Sequence, residues 1–468
     1  MSKNKYIVLA LGLLLSFFVF SEAKASRSHD PLVKVFNAQS HVQDAYFKAY
    51  HPSFKGGVNV AAGDINGDGE DEIITGAGLG GGPQVRIFDG AGQFEGQSFM
   101  AFHPDFRGGI KVAAGDVDAD GRDEVIVSQA SDGEPWVKVY DCENACVAKS
   151  SFLAYDKSFK GGVSIASGDT DGNGKAEIIV GAGESGGPQI RLVDEFGNFV
   201  GFSTFAFSKN FRGGTQVAAG DTNADGQDEV IVSQANLGQA WVKVYNATDN
   251  VVLSTFLAYP SGHKGGANVA AGDLDNDGRA EIVTGVGDIG GPQVRVFVAD
   301  GSVFDNGFFA YGEDFRGGVA VAVGHIAGIN KIVTGPGKSL VDGRTDLHKY
   351  IDINLSDSQI HAYKDGRLVV ESLISAGRPG MNTPTGSYSV RRKEVNHWSG
   401  SYGLWMPYSL NFTGSYYIHK LPVWPSGYVE GEDHLGINVS HGCVRVSNEA
   451  APLLFDFADV GTPIFIHY

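Results

Sequence analysis

Near the end of the chain, Ser440-His441-Gly442-Cys443-Val444-Arg445 brings a thiol, an imidazole and a guanidinium together within six residues. Cys443 stands between a glycine, which lets a substrate backbone come close, and a small apolar residue. A thiol attacks carbon only as thiolate, so it needs a base or a cation beside it. The chain holds three cysteines. Cys142 and Cys146, spaced C-x3-C, can pair locally in a small disulfide, which leaves Cys443 as the odd thiol and a candidate nucleophile. Zinc at the Cys142/Cys146 pair would need two more soft ligands, and none is nearby in sequence. A lone cysteine can also be a small buried hydrophobe, so the surroundings of Cys443 have to decide.

Those surroundings read as a small, mostly β domain. Tyr350-Ile351-Asp352-Ile353-Asn354-Leu355 alternates as a half-buried strand does. Residues 359–363 and 367–375 flank Lys364-Asp365-Gly366, a hairpin by its Asp-Gly turn. Turns follow at Arg378-Pro379-Gly380 and Thr383-Pro384-Thr385-Gly386. A single helix is predicted, from Ser447-Asn448-Glu449 into Phe457, with Ser447 or Asn448 as its cap.

The chain has 468 residues, room for two or three domains. With 66 glycines and only 19% charged residues, it reads as a turn-rich β protein. A net charge of −18 argues against nucleic-acid partners, whose binders need basic faces. Lys3 and Lys5, the apolar run 6–20 and Ala23-Lys24-Ala25 compose a secretory signal peptide over residues 1–25. That run is shorter than the roughly twenty residues a membrane span needs, and no later stretch is long and apolar enough. The mature protein is therefore expected outside the cytoplasm, in the periplasm, the wall or the medium, without a membrane span.

Between the leader and the strand at Tyr350 the chain repeats. An aspartate after a short apolar strand recurs at Asp64, Asp116, Asp169, Asp221 and Asp273, with His325 in the sixth place, in steps of 52, 53, 52, 52 and 52 residues. A Phe-Lys/Arg-Gly-Gly element such as Phe54-Lys55-Gly56-Gly57 precedes each, with His263 replacing Phe in the fifth. Four short strands per unit describe a propeller blade, because one small sheet cannot bury both faces alone and a ring of sheets can. The chain enters with the two strands that end a unit, Val33–Phe36 and Tyr46–Ala49, and leaves with the two that begin one, Val319–Val321 and Lys331–Thr334. Pairing them would close a six-bladed ring and remove its exposed edges. Gly-Gly-Pro-Gln units (Gly81, Gly186, Gly290) alternate with units carrying Trp136 or Trp241, as duplication of a two-blade piece would leave them.

Each marker aspartate opens a loop with oxygen ligands at alternate positions. The sets are Asp64, Asn66, Asp68 and Glu72; Asp116, Asp118, Asp120 and Glu124; Asp169, Asp171, Asn173 and Glu177; Asp221, Asn223, Asp225 and Glu229; and Asp273, Asp275, Asp277 and Glu281. Carboxylates crowded into one turn repel, and a hard divalent cation relieves that repulsion; calcium suits so flexible a cage better than magnesium. The sixth loop, at His325, has lost its carboxylates and is expected to hold no metal. These units resemble FG-GAP (integrin α-type) repeats, and the resemblance implies a propeller with structural calcium but names no ligand.

Residues 347–468 resemble the YkuD-type L,D-transpeptidase catalytic domain. The matching pieces are the opening strand and hairpin, Thr383-Pro384-Thr385-Gly386, Met406-Pro407-Tyr408, Tyr417-Ile418-His419, the Ser440–Arg445 hexapeptide with Val446-Ser447-Asn448 after it, and Val460-Gly461-Thr462-Pro463. The fold class is then all-β: a six-bladed calcium propeller over 26–338, a linker at 339–346 and the catalytic domain.

The resemblance implies a bacterial enzyme acting on peptidoglycan stem peptides without a catalytic cofactor. Cys443 would attack the carbonyl joining the L-centre of a diamino acid to a terminal D-alanine, and the thioester would pass to an amine on another stem or on a protein. By the same resemblance His419 is the base, oriented by the carbonyl of Lys420. The amides of Gly442 and Cys443 would hold the oxyanion, a contribution of a few kcal/mol per donor. His441 and Tyr408 would shape the pocket, and Arg445 would take a substrate carboxylate, a task suited to guanidinium.

Two departures stand out: Lys420 where the family has glycine, and a long segment from His419 to Cys443 carrying Trp424, Tyr428, Glu430, Glu432, Asp433 and His434, readable as a substrate lid or as a solvated loop. The other readings of the whole chain are an L,D-carboxypeptidase handing the acyl group to water, and a calcium-dependent adhesion or scaffold protein with an inactive transferase remnant. In either case the propeller is expected to grip an envelope protein or glycan.

Overall fold

In each repeat the second strand has a β-branched apolar centre, and in Glu72–Ala77 and Glu177–Ala182 every residue is buried. The fourth strand, such as Phe94–Met100, is largely exposed. This gradient orders the sheet from the centre of a ring outward, with sheets packed on both faces of the second strand. The structure, a computed structural model, describes residues 30–468 except 289, 314, 339–348, 357 and 365–366, with only the backbone at 367. The leader over 1–25, the linker at 339–346 and the Asp365-Gly366 turn lie outside the described residues.

Six four-stranded antiparallel sheets form the blades. The sixth combines both ends of the repeat region: Gln43–Lys48, Leu32–Asn37, Ile329–Pro336 and Val319–Ile326, in that order. Lys34 faces Thr334, and Asn37 faces Lys331. Tyr311 Oη locks the seam by donating to the carbonyls of Leu32 (2.9 Å) and Thr334 (3.0 Å). The repeated glycine pair allows blades to approach. A Cβ on Gly108 would meet the Ser131 carbonyl oxygen at 1.9 Å, and Gly109, at φ 73°, lies against Gly78.

The opening hairpin of each blade fixes the loop above it. Gly63 pairs with Glu72, Gly115 with Glu124, Gly168 with Glu177, Gly220 with Glu229 and Gly272 with Glu281, so the first and ninth loop positions sit side by side. Hydrogen bonds run from loop to loop around the ring. The amides of Asp123, Ala176, Asp228 and Ala280 donate to the carbonyls of Asp64, Asp116, Asp169 and Asp221 at 2.7–2.9 Å, and Asp71 closes the circle on His325. At His325 there is no loop: Val319–Ile326 and Ile329–Pro336 join through Ala327 and Gly328, both at positive φ, the two-residue turn that hairpins favour.

The remaining strands form one nine-stranded sheet. Its order is Gly386–Ser389, Pro463–His467, Lys349–Asn354, Gln359–Lys364, Arg367–Ser375, Val444–Val446, Tyr416–Lys420, Leu404–Thr413 and Arg392–Ser399. Two neighbouring pairs are parallel, Lys349–Asn354 with Pro463–His467 and Tyr416–Lys420 with Val444–Val446. The helix Ala450–Phe457 covers one face, burying Ala450, Ala451 and Leu454 on a core that includes Ile374, Leu410, Phe412, Ile418 and Val444. It starts later than the sequence suggests, but Ser447 acts near its start, since Ser447 Oγ accepts the Ala450 amide at 3.1 Å. A 3-10 turn, Glu432–His434, was not anticipated. Among the described residues no helix is long and apolar enough to cross a membrane.

Candidate active site

The strands Tyr416–Lys420 and Val444–Val446 run parallel with Ile418 opposite Val444 and His419 opposite Arg445. Ile418 and Val444 enter the core on the helix side. Strand alternation therefore sends Tyr417, His419, Cys443 and Arg445 out of the other face together. There Cys443 packs with Leu404, Met406, Tyr417 and Trp424. Gly442 makes this turn possible: its φ is +107°, and a Cβ would meet Cε1 of Tyr416 at 2.4 Å.

Small hydroxyls hold the backbone around the thiol. Thr383 Oγ1 donates to the Gly442 carbonyl at 3.0 Å, and Ser440 Oγ donates to the Cys443 carbonyl at 2.6 Å. Ser440 Oγ also accepts the Gly442 amide at 3.0 Å. The Gly442 N–H, expected at an oxyanion, is thus already engaged, because the serine two residues earlier folds back on it.

Cys443 is partly exposed. Burial pushes its thiol up, while a hydrogen bond from the Tyr417 amide and the charge of Arg445 pull it back part of the way. His419 is buried, with Nδ1 2.5 Å from the carbonyl of Lys420. A carbonyl only accepts, so Nδ1 carries the proton and Nε2 the lone pair. Desolvation pulls the pKa of His419 down to about 3, helped by the charges of Arg445 and His397 and opposed by the Lys420 carbonyl. The resting pair is a neutral thiol and a neutral imidazole. Among the described residues no hydrogen bond joins the two.

The other predicted residues divide. His441 borders the site, its Nε2 3.2 Å from Nη2 of Arg378 and its ring stacked 4.6 Å from that of Tyr402. Lys420 contributes its carbonyl. Tyr408 does not join them: its ring lies on the helix side, 5.7 Å from Phe455. Arg445 is not open to a substrate carboxylate. Its Nη1 is 2.6 Å from Oε1 of Glu430, and the two side chains are only 11% and 5% exposed. Glu430 also binds Nδ1 of His434. The long segment is therefore tied down over the site, with the Trp424 ring against Tyr428 and Val423 bridged to Trp405. Sequence reasoning named Glu430 without a role and did not single out Arg378; the turn Arg378-Pro379-Gly380 was the available signal.

The propeller loops share one scaffold but differ in what neutralises them. In every loop the first aspartate accepts loop amides, as Asp64 does from Gly67 and Gly69 and Asp273 from Asp277 and Gly278. One oxygen of each glutamate takes the amide of the second position, for example Ile65 to Glu72 and Leu274 to Glu281. Position-five residues Asp68, Asp120, Asn173, Asp225 and Asp277 turn an oxygen onto the amide two residues ahead. Carboxylate oxygens converge within 4.8 Å in three loops, from Asp116, Asp118 and Glu124, from Asp169, Asp171 and Glu177, and from Asp273, Asp275 and Glu281.

In the first of these, Lys149 Nζ pairs with both Asp118 and Glu124. An ammonium stands where a metal would. Of the outer strands in the five loop-bearing blades, only Val147–Leu153 carries a lysine, a signal present in the sequence. In the loops at Asp64 and Asp221 the amides of Asn66 and Asn223 donate to Glu72 and Glu229 at 2.9 and 2.8 Å. The loops at Asp169 and Asp273 fit a divalent cation best, since no cationic side chain among the described residues pairs with their carboxylates. Elsewhere, Cys142 and Cys146 are joined as a disulfide.

Residues 348–466 match the family of YkuD L,D-transpeptidase catalytic domains, and residues 64–127 and 169–232 match the FG-GAP-like repeat. The probable L,D-transpeptidase 3 of Mycobacterium tuberculosis is 31% identical over 121 residues, 23% of this chain and 41% of that protein. The chain thus spans less than half the length of this relative. Among solved structures, an L,D-transpeptidase from Stackebrandtia nassauensis aligns at 22% identity over 27% of this chain and 59% of that one, with a TM-score of 0.23. One from Xylanimonas cellulosilytica aligns at 27% identity over 25% and 60%, with a TM-score of 0.21. By the family models, residues 348–466 carry a YkuD-type L,D-transpeptidase catalytic domain, and FG-GAP-like repeats lie within the six-bladed propeller ahead of it.

Proposed function

We propose that the protein is an exported acyltransferase of bacterial peptidoglycan. Cys443 attacks the carbonyl between the L-centre of a stem-peptide diamino acid and its terminal D-alanine, and His419 Nε2 takes the thiol proton. The proton passes to the leaving amine, D-alanine departs, and a thioester remains on Cys443. An amine of a second stem or of a protein then attacks the thioester, giving a new amide and restoring the thiol. The observation that carries this reading is the placement of Cys443 and a buried, neutral His419 on one sheet face, with the Lys420 carbonyl fixing the tautomer. A neutral imidazole with its lone pair on Nε2 is the protonation state a general base needs.

The functional units are a leader over 1–25, a propeller to 338, a linker over 339–346 and the catalytic domain from 347. Calcium, held best by the Asp169 and Asp273 loops, stiffens the propeller, which positions the enzyme on an envelope protein or glycan.

Mass spectrometry of purified protein incubated with tetrapeptide-bearing muropeptides tests the enzyme. A crosslinked dimer with loss of D-alanine is expected. Loss of D-alanine alone would mean water is the acceptor, and no acyl adduct on Cys443 would leave a binding protein.

A further inference from the structure

The guanidinium that stands ready for a substrate anion is Arg378. Arg445 is committed to Glu430 inside the fold, so a substrate carboxylate could reach it only by breaking a buried ion pair. Arg378 is exposed, and its side-chain contacts are the Nε2 of His441 at 3.2 Å and the sulfur of Met381 at 3.6 Å, both through Nη2. No carboxylate among the described residues pairs with it. Nη1 and Nε therefore have no partner among the described residues, and their N–H groups remain to donate a charge-assisted hydrogen bond to an anion.

Its backbone is tied to the nucleophile's own loop. The Arg378 amide donates to the Ser440 carbonyl at 3.0 Å, and Gly377 bridges Ser440 in parallel. Thr383 Oγ1 accepts the Gly377 amide at 2.9 Å and donates to Gly442 at 3.0 Å, so one hydroxyl couples the turn to the residue before Cys443. The Tyr402 ring, stacked on His441, walls the same opening.

We propose that Arg378 binds the free carboxylate of the terminal D-alanine, and so restricts donors to peptides whose scissile bond is the last one. This rests on the transpeptidase reading above. That carboxylate is separated from the attacked carbonyl carbon by only the leaving nitrogen and one Cα, so its receptor has to border the nucleophile loop. Arg378 does so.

The test compares the full chain and its Arg378→Gln and Arg378→Lys variants on two donors, a disaccharide tetrapeptide and the same molecule with the terminal carboxylate as carboxamide. Wild type is expected to prefer the free acid on the order of 10- to 100-fold in kcat/KM, the value of a hydrogen-bonded charge. Arg378→Gln is expected to lose that preference through a raised KM on the free acid alone, and Arg378→Lys to keep part of it. A merely structural role for Arg378 would lower both donors together and leave their ratio unchanged, which overturns the assignment. Equal use of both donors by wild type overturns it as well. If wild type forms no acyl-enzyme with either, the transpeptidase reading itself falls and this inference with it.

Discussion

Nη1 of Arg445 lies 2.6 Å from Oε1 of Glu430, with both side chains almost withdrawn from water. The pair connects the strand that follows the nucleophile to the segment that covers it. The ion pair leaves two of its polar atoms unsatisfied: Glu430 Oε2 and Arg445 Nε are buried without a hydrogen-bond partner among the described residues.

Removing one partner leaves an uncompensated buried charge. Glu430→Ala is expected to destabilise the catalytic domain by about 3–5 kcal/mol, whereas Glu430→Gln combined with Arg445→Met should recover much of the loss. Urea denaturation of these two variants, the Glu430→Gln and Arg445→Met single variants and wild type gives the comparison. A double variant whose loss equals the sum of the Glu430→Gln and Arg445→Met losses would show that the charges do not depend on each other.

His419 yields a pH prediction. Its folded pKa of about 3 lies below the ordinary value of 6.5, so the folded protein favours the neutral ring. The contribution to stability is complete above the unfolded value and is lost as pH falls from about 6.5 toward 3, because the unfolded chain takes up the proton first. Melting temperature against pH should fall less on the acid side in His419→Gln than in wild type. The same variant should lower the acylation rate of Cys443 by about 100- to 10,000-fold. In wild type that rate should show no acid limb from this ring down to about pH 5.

Gly442→Ala puts a methyl group where Tyr416 already lies, at a φ of +107° that L side chains rarely adopt. A stability loss of roughly 2 kcal/mol or more is expected. Acylation should fall with it even though Cys443 and His419 are intact, and intact-mass measurement of the adduct over time reports that directly.

Calcium is expected to raise the melting temperature of the propeller and a chelator to lower it, by about 3 kcal/mol of stability at a hundredfold excess over Kd. Asp169→Asn and Asp273→Asn should each reduce the number of ions bound. Lys149→Gln should increase it by removing the ammonium paired with Asp118 and Glu124. Titration calorimetry counts the ions, and a melting curve indifferent to both calcium and chelator would remove the metal from the account.

Local pattern carried much of the architecture. The even spacing from Asp64 to His325 counted the blades, and the half-units at Val33 and Val319 announced a shared sixth sheet, because alternation and turn residues are written in neighbouring positions. The hexapeptide around Cys443 was likewise visible. What escaped were partnerships made by tertiary distance. Glu430 meets Arg445 across 15 residues of irregular chain, and nothing in their spacing says that a carboxylate will reach a guanidinium on that strand. The Ser440 hydroxyl could be seen beside Gly442, yet only the backbone's course shows that it consumes the amide. Tyr408 was carried by the resemblance alone, and its backbone at φ +53°, between the paired Pro407 and Ser409, turns the ring in a way that no local pattern announces.

The seam between Leu32–Asn37 and Ile329–Pro336 also governs how the molecule comes into being. Lys34 and Thr334 are 300 residues apart, so a ribosome working at about 5–20 residues per second needs roughly 15–60 s to deliver the second after the first. For that interval the leading hairpin can pack its face on the first complete blade, but its edge has no strand to pair with. The wheel is latched last, and until then that edge is open to pairing with another chain.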